Sequence, residues 1–457
     1  MTATAAVAII GAGIAGLSTA YHLTRAGVSD VVLVDERPPL SLTSDKSTEC
    51  YRNWWPGPGD TMVALMNRSI DLLERVADET DNRINLNRRG YLYASADPQR
   101  IPAYLAAAEE AAALGAGPAR VHRGRPDDPA YTPIATQGFH GQPSGADVIL
   151  DPAAIRREFP YLSPEVRAVV HARRCGWFSA QQLGAYYLEE ARRSGARLLE
   201  GHVDTVFASA AGRLRLRLSG GSESTLAADR LVLAAGPHTR EAGQMIGVDL
   251  PVFNELHGKV AFPDHLGAVP RSAPLLIWSD PVVLPWTEAE RSELAGSPET
   301  AFLLGSFPAG VHARPEGGGG SPITLILWTY HIEPVEARFP PAFDAYHAEV
   351  SLRGLSAMLP AVRGYFGRSP RMVVDGGYYL KTAENRPLVG PMPVDGTYLI
   401  GALSGFGLMA APACGELLAA YLTDARLPSY AAALRLERYA DPEYQALLQN
   451  WGSGGQL

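Results

Sequence analysis

Residues 11–16 read Gly11-Ala12-Gly13-Ile14-Ala15-Gly16, a G-x-G-x-x-G turn set between an apolar stretch and a helix-like one. Nineteen residues after Gly16 an acid, Asp35, closes a second apolar stretch. The pattern predicts a strand over 5–10, a helix over 13–26 stopped by Gly27, and a strand over 31–34. Two buried strands joined by a crossover helix make a right-handed parallel βαβ unit, which puts the first turn at the carboxyl ends of the strands. Gly11 permits the tight turn, Gly13 lets backbone approach a pyrophosphate, and Gly16 lets helix and sheet pack closely. The helix N-terminus supplies positive partial charge, and Asp35 can accept hydrogen bonds from a ribose. A dinucleotide site is therefore expected, with Ile14 and Ala15 at its phosphate end.

The chain has 457 residues, enough for two domains, and its net charge of -8 argues against nucleic-acid binding. A small-molecule ligand is expected. Three scattered cysteines, Cys50, Cys175 and Cys414, suit neither a disulfide framework nor a metal site, and no metal is expected. A reducing cytoplasm fits. The apolar N-terminal stretch lacks a preceding Lys or Arg and does not read as a signal peptide. The best membrane-span candidate, 403–422, is interrupted by Pro412 and Glu416, so no span is expected.

Further along, 105–114 reads as a helix, 120–144 as a Pro- and Gly-rich loop, and 182–195 as a helix. Strands are expected at 197–199, 203–207, 214–218 and 230–235, the last closed by Gly236. Residues 251–330 change to β-rich segments with an acidic helix near 287–294. A strand at 398–402, the turn Ser404-Gly405-Phe406-Gly407 and a helix through Leu422 restore the nucleotide-binding pattern. The fold expected is α/β plus α+β. A discontinuous Rossmann-type domain (1–86, 151–245, 370–457) carries the dinucleotide, and a β-rich antiparallel domain (87–150, 246–369) carries the substrate.

Two further segments distinguish the cofactor. TSDKSTECYRNWW at 43–55 resembles the flavin-contacting loop of the D-amino-acid oxidase superfamily, which includes sarcosine, glycine and dimethylglycine oxidising enzymes. KTAENRPLVGP at 381–391 and GALSGFGLMAAPACGELL at 401–418 resemble its flavin-closing strand, turn and helix. The resemblance implies non-covalent FAD and oxidation of a C–N bond in an amino acid or secondary amine. It also implies flavin contacts from Glu36, Arg37, Ser44, Lys46, Ser47, Thr48, Val203, Ala235, Gly236, Gly401, Gly405, Phe406, Gly407, Leu408 and Met409. Backbone N–H groups after Gly405 and Gly407 would face the edge of the flavin that gains negative charge on reduction.

For catalysis, Arg52 matches the superfamily's flavin-loop arginine, and its guanidinium can grip a carboxylate bidentately. Tyr330-His331 resembles an active-site Tyr-His pair, with the imidazole able to accept the ammonium proton. Tyr379 stands at a substrate-contacting position, Trp54 or Trp55 could wall an aromatic pocket, and His257 and Lys259 are weaker candidates. The departures are specific. Gly377 replaces the flavin-bonding cysteine of sarcosine oxidases, Leu327 replaces a lysine tied to oxygen activation, and Phe406 and Met409 replace polar turn residues. Lys46, Lys259 or Lys381 could supply the missing charge, and Cys50 is either a flavin linkage or a buried thiol. Oxidase and dehydrogenase chemistry both stay open, as do 2-hydroxy-acid oxidation and a non-catalytic flavoprotein.

Overall fold

The computed structural model describes residues 2–208, 213–449 and 451. Met1, 209–212, 450 and 452–457 lie outside the described residues.

One sheet is built on the predicted βαβ unit. Strand Thr2–Ile10 pairs in parallel with Val31–Asp35 on one side and Thr225–Leu233 on the other. Arg197–Glu200 and Thr397–Gly401 extend this parallel set at its two ends. Successive side chains on a strand face opposite ways, and the apolar runs are buried on both faces accordingly. Ile9, Leu33 and Val232 pack under helices Ile14–Arg25, Thr61–Glu79, Ala180–Arg193 and Gly407–Leu422. Ala8, Val32 and Leu231 pack on the other face with the antiparallel strands His202–Ala208 and Leu214–Ser219. Each such fully buried Ile, Leu or Val contributes about 1.5–3 kcal/mol of apolar transfer.

The second sheet has nine strands. Its strand Phe253–Pro263 pairs antiparallel with both Ile323–Leu327 and Val373–Lys381. Tyr91–Ser95 and Ala168–Ala172 also belong to it. The sheets therefore part the chain differently from the sequence reading at two places. Strands 168–172 and 373–381, expected with the dinucleotide half, belong to this second sheet instead. Each has an apolar run that either sheet could bury, and only the pairing partner decides. The sheet is mixed rather than wholly antiparallel, since Tyr91–Ser95 pairs in parallel with Leu275–Trp278 and Ala119–His122 with Ala146–Ile149.

Helix Gly407–Leu422 runs through Pro412 rather than breaking there. Proline removes the N–H that would meet the Leu408 carbonyl, and neighbouring helices brace the same turn: Ser69 Oγ accepts from the Ala413 N–H at 3.3 Å and donates to the Met409 carbonyl, and Ser18 Oγ donates to that of Ala411 at 2.8 Å. Segment Ser404–Leu422 is long and apolar enough to cross a membrane by composition, but 72% of it is buried inside the fold, as in a core helix. The acidic helix forms at Glu288–Leu294, started by a Thr287–Glu290 capping box.

Candidate functional site

The glycine turn is sterically committed. Gly11 has φ of 110°, and a Cβ there would lie 2.3 Å from the Ala234 carbonyl oxygen; one on Gly16 would lie 2.0 Å from that of Gly11. Asp35 Oδ2 accepts from the Ala12 N–H at 2.7 Å and Oδ1 from that of Arg37 at 2.9 Å. The acid thus fastens the turn. No side chain of its own N-cap closes helix Ile14–Arg25 or helix Gly407–Leu422, and neither has an acid in its first turn. Both N-termini open on one cleft lined by Gly13, Ile14, Ala15, Ser44, Ser47, Gly236, Gly401, Gly405, Gly407 and Leu408. A glycine cradle and two helix N-termini without acids fit a dinucleotide pyrophosphate and the electron-accepting edge of a flavin.

The remaining expected cofactor contacts are placed less directly. Thr48, Phe406 and Met409 line the adjoining cavity, and Arg37 and Lys46 line a side cleft with Asp375. Lys46 is ion-paired to Asp45 at 3.0 Å and Asp375 at 2.9 Å. Glu36 pairs with His202 at 3.0 Å, Val203 is buried in the core, and Ala235 immediately precedes Gly236. Burial pushes the Cys50 thiol up to about 11, and its Sγ donates to the Thr48 carbonyl at 3.3 Å. It is an inert buried thiol in character.

The adjoining cavity, about 270 Å³, shares Tyr379, Ser404 and Gly405 with the cleft. Arg52 reaches it from the strand Cys50–Arg52, 6% exposed, with Nη1 donating to the Tyr93 hydroxyl at 2.9 Å. Its guanidinium stacks 4.1 Å from the Trp55 ring centroid. Trp55 thus backs the arginine, while Trp54 packs toward Tyr93.

The same cavity carries a cluster that antiparallel register assembles. Phe253 pairs with Lys381, Glu255 with Tyr379, and His257 with Gly377, placing alternate residues of both strands on the cavity face. Across the diagonals, Lys381 Nζ donates to Glu255 Oε2 at 2.9 Å, and the His257 ring stacks on Tyr379. His257 Nε2 lies 3.1 Å from Glu255 Oε2 and Nδ1 2.7 Å from Thr329 Oγ1. Burial raises the Glu255 carboxyl, but hydrogen bonds from His257 and Lys381 outweigh it and hold it below the usual range. Burial lowers His257, with Glu255 partly opposing. A carboxylate only accepts, so Nε2 carries the imidazole proton and Nδ1 accepts from the Thr329 hydroxyl.

Asn385 completes the wall, its Oδ1 accepting from the Ser404 hydroxyl. Asn385, Ser404 and the adjacent Ala402 have φ of 59°, 48° and 50°. Left-handed non-glycine residues cost about 1–3 kcal/mol each and gather where surrounding structure holds a site in place.

Of the expected Tyr-His pair, Tyr330 lines the cavity and donates to Asp344 at 2.6 Å. His331 does not line it: its side chain is 64% exposed and faces Asp344 at 3.5 Å. Successive residues leaving a strand point apart, which sends His331 to solvent. Leu327 lines the cavity, whereas Lys259 Nζ turns to the Asp45 and Ser47 carbonyls at 3.3 and 3.5 Å. Glu255 and Thr329 were not singled out in the sequence, and Asn385 stood there only as part of the 381–391 segment. The alternation Glu255-x-His257 on one strand was the signal that could have found Glu255.

A Rossmann-type cleft opening onto a largely apolar cavity that carries a few polar groups, Arg52, His257, Thr329 and Lys381 among them, defines a dinucleotide-dependent oxidoreductase. The chain belongs to the DAO family of FAD dependent oxidoreductases, whose model matches residues 6–421. It is 23% identical over 442 residues to human mitochondrial dimethylglycine dehydrogenase, covering 94% of this chain and 44% of that protein. The chain thus spans less than half the length of the curated relatives it matches. Solved structures with the same fold include L-proline dehydrogenase from P. horikoshii, at 16% identity and a TM-score of 0.71, covering 96% of this chain and 99% of that one. Glycine oxidase from Geobacillus kaustophilus matches at 16% identity and a TM-score of 0.72, over 95% and 99%.

Proposed function

We propose that the chain oxidises the C–N bond of a carboxylate-bearing amine, an amino acid or N-substituted amino acid, to an imine that water then hydrolyses. The observation that carries this reading is the cavity itself: it holds Arg52 and the His257 cluster and shares three residues with the dinucleotide cleft. Bound FAD supplies the two-electron acceptor for the substrate C–H. The protein's own part is to grip, orient and deprotonate.

Arg52, fixed by Tyr93 and Trp55, takes the substrate carboxylate with its fork geometry. An amine must be neutral before its C–H can leave with the bonding pair. The Thr329 hydroxyl receives the ammonium proton while passing its own to His257 Nδ1, and the resulting imidazolium is held by Glu255. Asn385 presents a carboxamide beside the carboxylate position. The names of the related proteins, which concern dimethylglycine, glycine and proline, agree with such a substrate.

The same relay would serve a 2-hydroxy acid, because Thr329 and His257 could equally take a hydroxyl proton. Product analysis separates the readings. Incubation with an amino acid and an electron acceptor is expected to yield an oxo acid or aldehyde together with an equivalent of free amine or ammonia. Carbonyl product formed from hydroxy acids alone would overturn the amine reading.

A further inference from the structure

A second cavity, about 810 Å³, lies at the far ends of the two helices that reach the flavin cleft. Helix Ile14–Arg25 begins at the cleft and ends on this cavity with His22 and Arg25; helix Gly407–Leu422 begins at the cleft and reaches it with Glu416. Arg68 and Arg75 enter from helix Thr61–Glu79, and Arg426 from the turn beyond. None of these residues touches the cavity containing Arg52.

The balance of charge favours an anion. Arg68 is spent on Glu416, at 2.7 and 2.5 Å, and Arg25 bonds the Tyr21 hydroxyl at 3.0 Å and faces Glu79 at 3.8 Å. Arg75 and Arg426 have no hydrogen bond or ion pair among the described residues. Two helix C-termini bring roughly half a negative charge each, which these two free guanidinium groups exceed. The floor carries an unmet polar group too. His22 is 9% exposed, and among the described residues its Nε2 has no hydrogen-bond partner; the fully buried Tyr187 ring lies beside it. Burial holds the His22 imidazole neutral, at about 4. An unsatisfied buried group costs about 1–3 kcal/mol, and a ligand that bonds it recovers part of that. Leu72, Val76 and Leu417 supply apolar wall.

We infer that this cavity is a second ligand site, for a small organic anion whose carboxylate or phosphate meets Arg75 and Arg426 and whose body lies over His22 and Tyr187. Calorimetric titration of the FAD-saturated protein at low salt tests it, with AMP and octanoate as the phosphate and carboxylate probes and adenosine and octanamide as their uncharged counterparts. At least one anion is expected to bind with a submillimolar Kd, and its uncharged counterpart at least tenfold more weakly. The exposed pair Arg75→Gln and Arg426→Gln should raise the anion's Kd at least tenfold while leaving the melting temperature and bound FAD unchanged. His22→Phe, which keeps both arginines and fills the floor, should weaken the same anion. Failure of both anions to bind, or binding indifferent to the arginine pair, would overturn the inference.

Discussion

The imidazole of His257 lies nearly flat on the ring of Tyr379, centroids 4.0 Å apart and planes inclined by 23°. Tyr379 lines both the flavin cleft and the substrate cavity, so this stack fixes the proposed base at the boundary between them.

The base should reveal itself in the pH dependence of anaerobic flavin reduction. His257 must be neutral to accept a proton, and burial depresses it, so the acidic limb should fall below the ordinary histidine value of about 6.5. Glu255 raises His257 and Lys381 lowers it. Glu255→Gln should therefore move the limb further acid, and Lys381→Met should move it toward neutrality. Both are compared with the parent on one substrate, so the substrate's own ionisation cancels. Shifts of the same sign would remove His257 from the role.

Thr329 and His331 separate the structural assignment from the one read in sequence. Thr329→Val removes the relay hydroxyl at nearly constant volume and should slow flavin reduction about a hundredfold. His331→Ala, at an exposed position, should leave it within about twofold. Stopped-flow reduction at saturating substrate distinguishes them.

Arg52→Met keeps the aliphatic bulk against Trp55 and removes the fork. A desolvated charge-assisted pair is worth roughly 2–5 kcal/mol, so an amino acid should reduce the flavin at least thirtyfold more slowly at limiting concentration, while its decarboxylated analogue suffers much less. Equal losses for both would point to a role in holding the flavin.

Asp35→Ala should weaken FAD retention. It removes the proposed ribose acceptor and frees the Ala12 and Arg37 N–H groups, a loss of about 1–3 kcal/mol and hence roughly five- to 150-fold in Kd. Fluorescence titration of the stripped protein measures it, and circular dichroism should report a retained fold.

The dinucleotide half was legible because its signal is local: the glycine turn, its helix and Asp35 lie within 25 residues, and each is constrained by backbone sterics. The place of Arg52 on the cavity wall was legible through the 43–55 segment that carries it. The proposed proton relay was not, because it depends on the pairing of strands 253–263 and 373–381, more than a hundred residues apart, and a slip of one residue would turn Glu255, His257 or Lys381 away. His331 stood out as half of a Tyr-His pair, yet the strand end turns it to solvent and leaves Tyr330 alone in the cavity.

The most direct measurement is flavin bleaching under anaerobic mixing with amino acids, N-methyl amino acids and 2-hydroxy acids. One or more carboxylate-bearing amines should bleach the flavin completely in a single turnover, and the corresponding hydroxy acids should not. Bleaching by hydroxy acids alone, or by none of the amines, would contradict amine oxidation in this cavity.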